Sequence, residues 1–237
     1  MALRLAKDGF DVVVHAGSNQ RAADALVQEI LAIGQKAIPM TCNFADSSAF
    51  EPFVQACWDW QGDVAGWLNI AGVDVLTGEA ADWSFEKKLE AVLQIDVVAS
   101  LLLSRSIGHK MKSAYDRDRK TRSIVNVGWD QASQGMAGNS GEMFATSKGA
   151  IMAMSRSLAQ TMAPAVRVNC LAPGWIQTKW GQQASESWQR QAKEDALLER
   201  WGQPDDIAGM ASFLMSSDAA FVNGQVLNVN GGFRYSR

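Results

Sequence analysis

At 237 residues, 47% of them hydrophobic, the chain is long enough for one large apolar core and for one α/β domain, two at most. Its net charge of -3 gives no footprint for nucleic acid or for an anionic membrane. Cys42, Cys57 and Cys170 are odd in number, lack metal spacing and lie in apolar contexts. They read as buried reduced thiols, which excludes a disulfide framework and leaves no metal site. Charges recur every few residues from Met1, unlike a signal peptide, and no apolar run is expected to reach bilayer length. A cytoplasmic protein is the expectation.

The chain opens on the last turns of a helix, residues 1–7, with Leu3 and Ala6 inward and Gly9 at its end. A β-branched strand follows at 11–15. Ser18 or Asn19 caps a helix over 20–33 that Gly34 stops, and its apolar residues hold the helical period. A strand at 37–42 and a helix at 46–60 come next. Residues 64–71 form a buried strand, and a long helix covers 85–112. After a charged turn at 116–120 the pattern gives a strand at 123–127, a helix at 141–163 and a strand at 166–171. Helices are expected at 185–199 and 204–214, the latter with Pro204 in its first turn, and a last strand at 225–229. There are no repeats, linkers or low-complexity stretches. Continuous apolar strands alternating with helices predict a doubly wound parallel sheet, Rossmann-like, as a single domain over 1–237. Ligands in such a fold sit at the carboxyl ends of the strands.

Several runs carry a resemblance. Asn69-x-Ala-Gly72, Arg167-Val-Asn-Cys-Leu-Ala-Pro-Gly174, Arg200-Trp-Gly-x-Pro-Asp-Asp-Ile-Ala208 and Gly224-Gln-x-Leu-x-Val-x-Gly-Gly232 occur in that order. In these motifs the chain resembles the short-chain dehydrogenase/reductase family, from Met1 to its end. The resemblance implies an oxidoreductase using NAD or NADP on an unknown small molecule. It also implies a homodimer or homotetramer, with no nucleic-acid or membrane partner. Apolar residues on more than one face of two helices fit such an assembly: Leu101, Leu102 and Leu103, then Ile151, Met152 and Met154. By the same resemblance His15 and Asn43 lie near the adenosine, and Asn69, Ala71 and Gly72 flank its ribose. Pro173 and Gly174 lead into the nicotinamide loop, where Ile176 and Thr178 meet the carboxamide and pyrophosphate. His15 reads equally as a plain strand-end histidine. Arg21, a few residues on, leans slightly toward a 2′-phosphate.

The family's catalytic set is Asn, Ser, Tyr and Lys. Here Asp96 takes the Asn position, Trp129 the Ser position and Phe144 the Tyr position, and Lys148 alone matches. Phe144 and Lys148 are four residues apart and share a helix face. The interval from Trp129 to Phe144 is longer than the family's, so the Ser assignment can slip toward Ser133 or Ser140. Reducing a carbonyl by hydride needs a proton for the developing alkoxide. Phe supplies none, and a positioned acid is worth ~10²–10⁴-fold. Trp donates one N–H but gives up no proton at neutral pH. Asp96 adds a negative charge that can pair with Lys148 or cap a backbone group. Lys148 is either a ribose-binding cation or a surface lysine. Asp130 is either a relocated acid or a solvated loop carboxylate, and Glu142 serves the helix dipole. Trp129, Trp175 and Trp180 map to the substrate rim, where they stack a flat or sugar-like ligand or fill vacated space.

The family's first strand and its Thr-Gly-x-x-x-Gly-x-Gly loop have no counterpart in these residues. Either the sequence starts inside a longer polypeptide or it is a natural short form. The expectation is a truncated sheet whose strands at 11–15 and 64–71 face a gap, with weak or absent NAD(P) binding. A pseudoenzyme is the alternative to a reductase with an unusual acid.

Overall fold

In a computed structural model that describes residues 1–234, six strands form two parallel sheets. In the first, β1 (Val12–Ala16) pairs with β2 (Ala37–Thr41), with Val14 opposite Pro39. The second runs β3 (Gly66–Asn69), β4 (Arg122–Val127), β5 (Val166–Pro173) and β6 (Val226–Val229) in that order. Its register sets Asn69 beside Asn126 and Asn126 beside Cys170. β1 and β3 share no ladder, so the expected gap is there.

Both sheet faces are covered, which is why the strands read as unbroken apolar runs. On one face α1 (Ala2–Lys7) and α2 (Gln20–Ile33) bury Ala6, Ala23, Val27 and Ile30 with Val14 of β1. α9 (Pro204–Met215) buries Ile207, Ala211 and Leu214 against Val125 and Leu171. The other face holds α3 (Phe50–Asp59), α5 (Ala99–Asp118) and α6 (Asn139–Met162), whose Phe53, Leu103, Ile107, Met111 and Met162 cluster with Ile124 and Val168. Ile124 and Val125, adjacent in sequence, thus pack into opposite layers. α1 and α9 clasp the two sheets together: Asp8 accepts from Arg4 at 2.8 Å and from the hydroxyl of Ser212.

Local signals explain most boundaries. The Asn19 side chain accepts from the Ala22 amide at 3.0 Å, and Gly34 ends α2 at φ 96°. Gln203 and Asp206 make a capping box ahead of Pro204. Other boundaries differ from expectation. The helix expected at 85–112 is longer: α4 (Phe85–Val92) passes through a π-helical stretch, Leu93–Val98, into α5, which ends at Asp118. This continuous 34-residue helix contains a window long and apolar enough to cross a bilayer, correcting the expectation that none exists. Its Leu103, Ile107 and Met111 are spent in the core instead. The helix expected at 185–199 is shorter, α8 (Glu186–Asp195), and the segment ahead of it holds a further short helix, α7 (Lys179–Gln183). Beyond Asp195 the chain leaves the helix because Leu197 and Leu198 donate to the carbonyls of Gly232 and Gly231. The thiols of Cys42, Cys57 and Cys170 are free and buried, and burial pushes Cys57 up to about 12.

Candidate functional site

The corner around Lys148 is built by α6 and the π-helical stretch. Lys148 Nζ lies 2.7 Å from Asp96 Oδ2, with side-chain exposures of 19% and 3%. The other oxygen, Asp96 Oδ1, accepts from the Val73 amide at 3.1 Å. Gly72 permits that approach, since a Cβ there would lie 3.2 Å from the same carboxylate. Asp96 therefore takes both roles the sequence allowed it, pairing with Lys148 and capping a backbone group. Lys148 is neither a surface lysine nor a free cation. Phe144 joins an apolar cluster of Val75, Val92 and Met143, with Leu89 and Phe85 packed beside it. It is half-buried, packed against that cluster. Thr146 and Ser147, its neighbours, turn their hydroxyls onto the helix carbonyls of Glu142 and Phe144. Ser133 Oγ reaches only the Asp130 carbonyl, at 3.5 Å.

Asp130 corrects one expectation. It is 5% exposed, so it is no solvated loop carboxylate. Oδ2 accepts from Asn230 at 3.0 Å, while Oδ1 is buried without a hydrogen-bond partner among the described residues. Burial pushes this carboxyl above its usual range, against the pull of the Asn230 amide. Gly174 lies against the same groups: a Cβ there would meet Asn230 at 2.7 Å. Next to this, Trp175 and Trp180 stack at 6.3 Å, as their shared place on the rim suggests. Trp188 and Trp201 complete the cluster, at 5.2 and 6.1 Å from Trp175. Neither was singled out from sequence, although nine tryptophans in 237 residues was a signal worth following. Trp175 donates to Asp195 at 3.0 Å. Trp129 caps the turn after β4 and is outside this stack.

The positions assigned to a dinucleotide are dispersed. A cavity of about 910 Å³ runs along the seam between β1 and β3. His15, Asn69, Ala71, Pro173, Gly174, Ile176 and Thr178 line it; Asn43, Gly72 and Lys148 do not. His15 stacks on Phe44 at 4.1 Å and shares a hydrogen bond with the Cys42 carbonyl at 2.9 Å. Burial lowers its pKa, so it stays neutral at pH 7. Asn43 instead accepts from the Ala45 amide, closing a turn. Asn69 is a staple. It accepts from Trp67 Nε1 at 2.9 Å and donates to Ser104 Oγ at 2.8 Å and Asn126 Oδ1 at 2.7 Å. Asn126 continues to Ser155, whose hydroxyl ends on the Ile151 carbonyl. This buried network ties β3, β4, α5 and α6 together. Ile176 bridges to Gly202, and Thr178 starts α7. The charged residues lining the cavity are Asp11 and Asp63, with no Lys or Arg among them.

The doubly wound α/β fold sets the architecture, and comparison gives the family. Residues 1–234 match the family model described as enoyl-(acyl carrier protein) reductase. The chain is 30% identical to dehydrogenase/reductase SDR family member 4 of Mus musculus, over 98% of this chain and 81% of that protein. It is 29% identical to a 3-oxoacyl-[acyl-carrier-protein] reductase of Synechocystis, over 98% and 90%. Among solved structures, a 7α-hydroxysteroid dehydrogenase complexed with NADH and 7-oxo glycochenodeoxycholic acid superposes with a TM-score of 0.86 at 26% identity, over 98% of this chain and 88% of that one. The chain belongs to the short-chain dehydrogenase/reductase family, whose members are NAD(P)-dependent oxidoreductases.

Proposed function

We propose that this member keeps the family's frame without its proton relay, and binds a ligand or partner chain rather than reducing carbonyls by the family's chemistry. One observation carries this reading: Lys148 is bound to Asp96 at 2.7 Å while Phe144 is packed among Val75, Val92 and Met143. The lysine's charge is spent inside the protein, and no hydroxyl stands beside it to be activated. The residues present also do not fit a dinucleotide. Among its lining residues the cavity offers a pyrophosphate no Lys or Arg, and the polar groups of Asn69 are already engaged. NAD(H) and NADP(H) are expected to bind at millimolar level or not at all, a Kd of ~1 mM being worth about -4 kcal/mol. Calorimetric titration with each nucleotide, with NADH and NADPH oxidation followed against 3-oxoacyl thioesters and simple ketones, tests it. Micromolar binding, or turnover that persists in Lys148→Ala, overturns the reading.

The buried, half-unpartnered Asp130 favours a second reading, a reductase whose acid is that carboxyl. Its sign is turnover in the unmodified chain that Asp130→Asn abolishes without weakening ligand binding. Assembly is proposed as a dimer or tetramer. Of the apolar residues expected to drive it, Leu103, Ile151 and Met152 are consumed in the core, and Leu102 remains exposed together with Phe213 and Phe221. A monomer by light scattering at micromolar concentration counts against it.

A further inference from the structure

Four indoles meet beyond the end of β5, and three of them stay partly in water. Trp201 is 4% exposed, whereas Trp175, Trp180 and Trp188 are half-buried. Those three are mutual neighbours, with ring centroids 5.2, 6.3 and 6.4 Å apart. The backbone beneath them is tied. Gln189 fastens α8 to α7 by donating to the Gly181 carbonyl at 2.5 Å. Gly181 admits the Trp201 ring, which a Cβ there would meet at 2.8 Å. Three indoles left together at the surface form an aromatic patch of the kind that marks a binding site. The charge beside this patch has one sign. Asp195 Oδ2 accepts from Trp175 Nε1 at 3.0 Å, and Oδ1 has no hydrogen-bond partner among the described residues. Neither Asp195 nor Asp130 joins an ion pair among those residues. The two carboxyls are close enough for the charge of Asp195 to raise Asp130 further. Arg234, whose amide donates to the Asp195 carbonyl at 2.8 Å, sends its guanidinium to Glu199 at 3.1 Å. Lys179, Arg190 and Lys193 on α7 and α8 are exposed.

We infer that this patch binds a small quaternary ammonium ion, with its methyl groups on the indoles of Trp175, Trp180 and Trp188 and its charge facing Asp195. An indole is the best aromatic seat for a cation, and a fully methylated nitrogen has no N–H left to satisfy. A sugar also stacks on indoles, but it needs several donors and acceptors around its ring. The amide nearest in that role, Asn230, is spent on Asp130 and on the Gly232 amide. The inference names the ligand class for the ligand-binding reading above and rests on it. Nucleotide titration tests that reading, and the titrations that test the patch contain no nucleotide, so the two can fail separately.

The probe is choline, titrated into the full chain by calorimetry at matched ionic strength, with the indole N–H signals followed by NMR. Saturable one-to-one binding is expected. It should move the signals assigned through Trp175→Phe, Trp180→Phe and Trp188→Phe. The neutral carbon isostere of choline, with a tert-butyl group in place of trimethylammonium, should bind about fivefold more weakly or worse. Trp188→Leu should weaken choline binding about fivefold. Asp195→Asn, which keeps an acceptor for Trp175, should weaken it about two- to fivefold, the scale of an exposed charge. If Trp188→Leu does not fold, Asp195→Asn and the isostere carry the test. Absence of saturable binding overturns the inference. So does equal binding of the isostere, which would mark the patch as plainly apolar. Glucose moving the same signals at lower concentration than choline overturns it in favour of a sugar. A trimethyllysine peptide binding about tenfold tighter than choline overturns the small-molecule assignment.

Discussion

The corner around Lys148 and the seam between β1 and β3 lie in one fold and differ in what is left unsatisfied. In the corner Lys148 pairs with Asp96, and Asp96 also accepts from the Val73 amide. In the seam the side chains are apolar and the backbone groups of two strands lack a ladder. Side-chain chemistry has been closed and backbone chemistry left open.

The largest expected difference between the two regions is in packing. Leu103 is fully buried with partners on every side, so Leu103→Ala should cost about 3 kcal/mol. Leu68 borders the cavity, and Leu68→Ala should cost under about 1 kcal/mol because few contacts are lost on its open side. Urea midpoints at constant m decide it; equal losses would mean the seam is as well packed as the core. A smaller effect is expected from the ion pair. Asp96→Ala leaves the Lys148 ammonium short of its partner at 19% exposure and should cost about 2 kcal/mol, below the cost of breaking a fully buried pair. Asp96→Leu with Lys148→Met should recover most of it, whereas no recovery would show that the pair holds more than itself in place.

The smallest effects are titrations of opposite sign. His15, in the seam, has its pKa lowered by burial from 6.5. Below pH 6.5 the unfolded chain binds more protons, so stability falls as pH falls. Asp130 has its carboxyl raised from 3.8 by burial. Its native state holds the proton longer, so that stability is present below pH 3.8 and lost as pH rises through the raised value. His15→Phe should flatten the acid-side loss, and Asp130→Asn should gain on the parent as pH rises. Denaturation curves from pH 4 to 8 check both, and a parallel response in the two variants would undo the assignment.

Sequence carried the architecture far. Strand and helix periodicity placed the layers, and the runs 167–174, 200–208 and 224–232 lie at or beside β5, α9 and β6 as their resemblance implied. The pairing of Asp96 with Lys148 was visible as one of two options because a charge at a half-buried position needs a partner. Asp130 had two options in sequence, and only the structure removes the solvated one, because Asn230, a hundred residues on, closes over it. The hydrogen bonds of Asn43 within a turn and of Asn69 across β3, β4 and α5 were not legible, because an amide's partners are fixed by tertiary neighbours. Trp188 lies in no motif, and its closeness to Trp175, at 5.2 Å, is a tertiary contact.

Between α4 and α5 the helix runs as a π-helix over Leu93–Val98, and Asp96 sits inside it. A π turn holds an extra residue relative to an α turn, and each residue of an α-helix advances the side chains by about 100°. Deleting Val97 would leave the helix unbroken but turn α4 and Asp96 by about that angle against α5. Either the carboxylate would swing away from Lys148, or Leu89 and Val92 would leave Phe144. The salt bridge is thus a matter of rotational phase, set by the length of the chain at one turn. An insertion or deletion there should disturb this corner more than any single substitution in it.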